Sequence, residues 1–191
     1  CIDESVNGLI YAYSWYLDAM TDSQWDALVL DDYETVMPIT WNKKYKIYYI
    51  YQPYFCASLG VFSKQKIHEA FVALFLKSIP ARFKYFDCYL NHQNMFAIEG
   101  FPFTERTNYV LNLANSYEQI TANYRTNLSR NIKKAESNGL VVKENIPLTE
   151  VMAIAKETMQ RISSITDHEM ERFEQVFNKA KELKQAETLG I

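Results

Sequence analysis

Apolar residues recur in this chain at two periods. Before residue 115 they fall in short runs separated by turn residues; after it they recur at helical spacing. Residues 8–13 read as a brief extended stretch and 14–20 as a short helix. Residues 27–30 are apolar and bounded by charge. Asp31-Asp32 makes a turn, and residues 33–40 return as a second strand ending at Pro38, which together predict a β-hairpin. Residues 46–52 are apolar at both parities, the pattern of a strand central in a sheet and covered on both sides. Residues 53–63 read as a loop. Residues 65–78 predict a helix burying Ile67, Ala70, Phe71, Leu74, Phe75 and Ile79, with Pro80 just past its end. Strands are expected at 83–90 and 107–113, with an irregular stretch at 91–106.

The second half reads as mostly helix. Ser116 can cap a helix over 116–138, with Gln119 as its reciprocal partner and Gly139 as its stop. Tyr117, Ile120, Tyr124, Leu128, Ile132 and Ala135 form one stripe. At about 100° per residue, Arg125, Arg130, Lys133 and Lys134 point away from it. Residues 140–143 read as a strand. Residues 149–163 predict a helix burying Val151, Ile154, Ala155, Met159 and Ile162. Thr166 and Glu169 make a capping box for a last helix, with Met170, Phe173, Val176, Phe177, Ala180 and Leu183 inward. The final residues read as the start of a strand. The alternation of strands and helices predicts a mixed α/β (α+β) sheet with helices packed on it. The boundary falls between a domain at 1–114 and an incomplete, mainly helical one at 115–191.

Composition narrows the function classes. The chain has 191 residues, is 48% hydrophobic and carries a formal net charge of −3, so overall charge does not drive nucleic-acid binding, though a local patch still can. Only five glycines occur, and neither a dinucleotide fingerprint, a P-loop nor a GxSxG elbow is present. No apolar run is long enough to span a bilayer. Three cysteines, Cys1, Cys56 and Cys88, favour reduced thiols and a cytoplasmic location. The first residue, Cys1, fits either a lipidated terminus or a cut from a longer chain, and the second is expected.

Several constellations carry candidate chemistry. His68, His92 and His168 are far apart, and Cys88, His92 and Asp87 supply three ligands where zinc wants four, so no metal site is expected. Cys56 lies in a loop after the apolar strand, without a neighbouring His to activate it. The helix following that loop offers backbone N–H groups to an anion. The run Tyr45, Tyr48, Tyr49, Tyr51, Tyr54 and Phe55 can stack on a sugar or base, although at strand spacing it also fits a core. The cations of the basic helix either are solvated or grip phosphates.

Two segments resemble a known family. Trp25-Asp26-Ala27-Leu28-Val29, Val36-Met37-Pro38, Gln52-Pro53 and Leu59-Gly60-Val61-Phe62 are similar to the first domain of FemAB-like proteins. Arg130-Asn131-Ile132-Lys133-Lys134-Ala135 with Gly139-Leu140-Val141-Val142 is similar to the opening of their second domain. That resemblance implies two GNAT-like acyltransferase domains in tandem, the second truncated here, and acyl or aminoacyl transfer to a small-molecule or peptide amine. It implies no tightly bound cofactor, with acyl-CoA or aminoacyl-tRNA as donor. Arg130 matches the position that grips donor phosphates, with Arg125, Lys133 and Lys134 beside it. Gln52 and Tyr54 are further candidates for substrate binding, and Asp87 for a base. A non-catalytic module that binds a phosphorylated ligand through the same basic face is the alternative.

Overall fold

Strands β1 (Trp25–Leu30) and β2 (Thr35–Lys44) form the hairpin that the apolar runs predict. The computed structural model describes residues 1–191 as two compact units. One holds Cys1–Phe103 and Met152–Ala186, the other Thr104–Val151 and Glu187–Ile191. The boundary read from sequence at 114/115 falls inside the second of these.

In the first unit β2 continues past Pro38 to Lys44 rather than stopping there. One side of β2 pairs with β1. The other side pairs with β4 (Phe62–Ser63) at Thr35 and Val36, and with β3 (Ile47–Tyr51) from Trp41 on. Pro38 lies in the gap between these two neighbours, where a missing N–H is tolerated. Strand β5 (Phe83–Asp87) adds parallel to β3, which makes the sheet mixed, in the order β1-β2-β3-β5. The strand buried throughout one stretch is β2, from Thr35 to Thr40. In β3 only Ile50 is buried and Ile47 is 52% exposed, so the expectation of a strand covered on both sides does not hold. The cause is register: β3 pairs with the far end of β2, where Asn42, Lys43 and Lys44 are themselves exposed.

Helix α2 (Glu69–Lys77) connects β3 to its parallel neighbour β5 and packs Val72, Phe75 and Leu76 on Met37, Leu28, Leu30 and Phe86. The expected stripe is out of phase. Ile67 is buried but precedes the helix, and counting it as helical moves Ala70 and Leu74 inward. Those two are exposed, whereas Val72, Phe75, Leu76 and Ile79 keep the i, i+3, i+4, i+7 spacing from a start at Glu69. Residues 8–13 form a 3-10 turn at Ile10–Ala12, closed by i to i+3 hydrogen bonds, instead of an extended stretch.

Helix α1 (Ser14–Thr21) packs Tyr16 and Met20 against Cys56 and against Val176 of α6 (Asp167–Glu182). Helix α6 has the Thr166–Glu169 capping box, and Met170, Val176 and Ala180 of its expected stripe are buried. Helix α5 (Leu148–Ile162) leaves Ile154 and Ile162 more than 70% exposed, contrary to expectation.

The second unit does not contain one long basic helix. Helix α3 (Tyr117–Ala122) has the Ser116–Gln119 capping box, and α4 (Thr126–Ser137) follows after a break. Asn123 ends α3: its side-chain amide donates to the Gln119 carbonyl, 2.9 Å away, competing with continued helix. None of the stripe residues of α3 or α4 is buried. Gly139, at φ +72°, stops α4 as its position requires. The next strand is β6 (Lys143–Glu144), which starts later than expected and pairs antiparallel with β7 (Leu189–Gly190). Residues 107–113 form no strand, and Tyr109, Val110, Leu111 and Leu113 are 64–91% exposed. Strand propensity there has no ladder to join.

No helix is long and apolar enough to cross a membrane.

Candidate functional site

Helix α4 carries the cations that the sequence singles out. Arg130, Lys133 and Lys134 lie within about 100° of arc on it, opposite Leu128, Ile132 and Ala135. Arg125 is the N-cap residue, with extended backbone, so it stands at the mouth of the helix and not on its face. All four side chains are exposed, and no carboxylate pairs with any of them. Arg130 is steadied by its own helix: its Nη2 donates to Asn127 Oδ1 at 3.0 Å, leaving the rest of the guanidinium fork open. Planar forks of this kind match the oxygens of a phosphate.

The other sequence candidates lie in the first unit, and the structure gives them mostly local work. Gln52 bridges two loops: its Nε2 donates to the Cys56 carbonyl at 2.6 Å, and its Oε1 accepts the Tyr89 N–H at 3.0 Å. Its amide is therefore spent on holding the loop after β3 against the segment after β5. The Tyr54 hydroxyl lies 3.3 Å from Ser164 Oγ, and Phe55 stacks on Phe173 at 4.6 Å, so this loop is fastened to the α5–α6 turn and to α6. Asp87, the last residue of β5, is exposed, and no hydrogen bond or ion pair orients its carboxylate. Burial pushes the Cys56 thiol up to about 12, which keeps it protonated and removes it as a nucleophile. Burial, then the charge of Asp87, pushes Cys88 to about 12 as well.

No three His, Cys, Asp or Glu side chains are grouped to hold a metal ion. The three histidines sit apart: His68 stacks on Phe71 at 4.0 Å, His92 opens a 3-10 turn, and His168 bonds to Asp22 at 3.1 Å.

Two polar constellations escape sequence reasoning. In the first, Asn7, Asn91 and Asn94 are buried around Val61: Asn94 Oδ1 accepts its N–H at 2.6 Å, and all three amides donate to its carbonyl. Asparagine in a loop carries no periodic signal, so nothing in the sequence marks these three. In the second, Asp22 closes α1 in the left-handed conformation and holds Arg172 of α6 through both of its oxygens, with His168 beside it. The partners are about 150 residues apart in sequence and have no spacing to betray them. The chain was compared with protein families, with curated proteins and with solved structures, and no significant match was found in any of the three.

Proposed function

We propose that this chain binds a phosphorylated ligand through α4, and that the ligand is the donor in an acyl or aminoacyl transfer to an amine. The observation that supports the binding step is the set of four exposed cations, Arg125, Arg130, Lys133 and Lys134, none paired with a carboxylate. The transfer step rests on the FemAB-like pattern around the same residues. In such a reaction the amine attacks an ester or thioester carbonyl, and positioning with carbonyl polarisation supplies most of the acceleration. Acyl-CoA and aminoacyl-tRNA are the donors to test, since both present phosphates to a fork. The R125A/R130A double variant is expected to lose binding of whichever donor the wild type takes, with its circular dichroism spectrum and melting temperature unchanged. Equal binding by variant and wild type rules this reading out.

A non-catalytic binding module is the second reading, and the first unit favours it. Burial holds the Cys56 and Cys88 thiols protonated, and Asp87 has no partner to orient it as a base. Donor binding that depends on Arg130, with no transfer to any of a panel of primary amines, selects the module over the enzyme.

A further inference from the structure

We propose that the end of the β2–β3 hairpin, together with the start of β5, is a binding surface for single-stranded nucleic acid. It lies wholly within the first unit and does not depend on the reading of α4. Lys43, Lys44, Lys46 and Arg82 are gathered there, exposed, on a chain whose formal net charge is −3. Only Arg82 has a carboxylate partner, Asp26 at 2.6 Å. Two of the three lysines rest on aromatic rings instead: Lys43 Nζ lies 4.8 Å from the Tyr48 centroid and Lys44 Nζ 5.7 Å from that of Tyr45. Basic side chains interleaved with aromatic rings are what a polynucleotide strand wants, cations for its phosphates and π-faces for its bases.

The turn itself supplies an independent observation. Tyr45 and Lys46 join β2 to β3 as a two-residue turn, with φ of +50° and +66°. Both central positions of such a turn suit Asn-Gly, and side chains like these are strained there. Packing does not account for the choice, since the Tyr45 ring is 88% exposed. Tyr85 of β5 is also bare, 61% exposed, but it pairs with Tyr49 and so shares the sheet face of Lys44, not that of Lys43, Tyr48 and Arg82; the stacking ring of the proposed surface is Tyr45 at the tip, which both faces reach. Strained backbone that displays an exposed aromatic between lysines is explained by a ligand that stacks on it. The chemistry favours a base over a bilayer: the exposed rings are tyrosines, and the only aliphatic side chain in the group is Ile47, whereas interfacial insertion calls for Trp, Phe and Leu.

The test is fluorescence anisotropy with a labelled oligouridylate of about 16 nucleotides, the upper end of the site sizes of single-strand stacking grooves. The wild-type chain is expected to bind, with affinity falling as salt rises at a log–log slope of about −3 for four phosphate contacts on a single strand. Tyr45→Ala is expected to weaken binding about tenfold through lost stacking. The K43E/K44E/K46E variant is expected to abolish binding, while R125A/R130A leaves it intact. Should the triple variant melt early, Tyr45→Ala and Lys46→Gln at exposed positions carry the same comparison. No binding at about 0.1 mM chain, the weak end of non-specific affinity, overturns the proposal. So does binding that R125A/R130A removes and the hairpin variants keep, or binding to phosphatidylserine vesicles without binding to the oligonucleotide.

Discussion

Asn94 does for Val61 what a neighbouring strand would do. Its Oδ1 takes the Val61 N–H at 2.6 Å and its Nδ2 gives to the Val61 carbonyl at 3.1 Å. The residue is fully buried, so Asn94→Ala strands a backbone N–H away from water and is expected to cost about 2–3 kcal/mol in denaturant unfolding. A cost within about 0.5 kcal/mol would mean that solvent reaches Val61 after the change. The same contact makes Gly60 irreplaceable. A Cβ there would lie 2.3 Å from Asn94 Oδ1, and φ is +105° besides. At the hairpin tip the argument reverses. Lys46 occupies a left-handed position with no packing to justify it, so Lys46→Gly is expected to stabilise the fold by about 1 kcal/mol, read as a rise in melting temperature. Should the melting temperature fall instead, Lys46 makes a stabilising interaction that outweighs its strain.

Among the elements, α2 shows how far a periodic pattern carries and where it slips. Its existence and the Pro80 beyond its end are legible, but its phase, and with it its core face, is not, because the buried Ile67 enters the count one residue before the N-cap His68. Phase has an energetic consequence: Phe75→Ala is expected to cost about 3–5 kcal/mol and Leu74→Ala, at a half-exposed site, under about 1 kcal/mol. Comparable costs would restore the sequence phase. The β1–β2 hairpin, both capping boxes and the β7 strand were readable because each is written in neighbouring residues. The break between α3 and α4 was not, since helix propensity runs on through Asn123 and only its side-chain bond to Gln119 stops it. The basic face of α4 was legible as charge, but the loss of Arg125 from that face follows from the same break. The fastening of α6 to α1 was invisible for another reason, since Asp22 and Arg172 meet only in the folded chain. Hydrogen bonds from Arg172, with His168 assisting, hold the Asp22 carboxyl below its usual range. A depressed folded value means that the unfolded chain takes up the proton first as pH falls. The contribution is therefore complete above the unfolded pKa of about 4 and fades below it, as pH falls through the folded value. Asp22 is half-exposed, so the contribution stays within about 1 kcal/mol. Asp22→Asn is expected to lower the denaturant midpoint at neutral pH, with the gap to wild type closing below pH about 4. A gap that persists into strong acid would assign the effect to packing.

At the scale of the whole molecule, chain order and compact units do not coincide. Helix α6 lies in sequence between the two segments of the second unit and packs in the first, on α1, through Val176 with Tyr16 and Met20, Phe173 on Phe55, and Arg172 on Asp22. The stretch 104–113, which opens the second unit, has no regular structure, and Tyr109, Leu111 and Leu113 stand well exposed in it. Exposed backbone with bare aromatic and leucine side chains is what chymotrypsin cuts. Limited digestion is expected to nick the chain at Tyr109 first, giving two fragments on a denaturing gel. The two fragments are nevertheless expected to co-elute on size exclusion in native buffer, because the C-terminal one carries α6 and the N-terminal one carries the α1 surface that α6 covers. The R172A/F173A variant removes the ion pair and the ring contact together, and its nicked fragments are expected to separate in the same buffer. Fragments of the unaltered chain that separate on nicking would show that α6 is held to α1 too weakly to count the two segments as one unit.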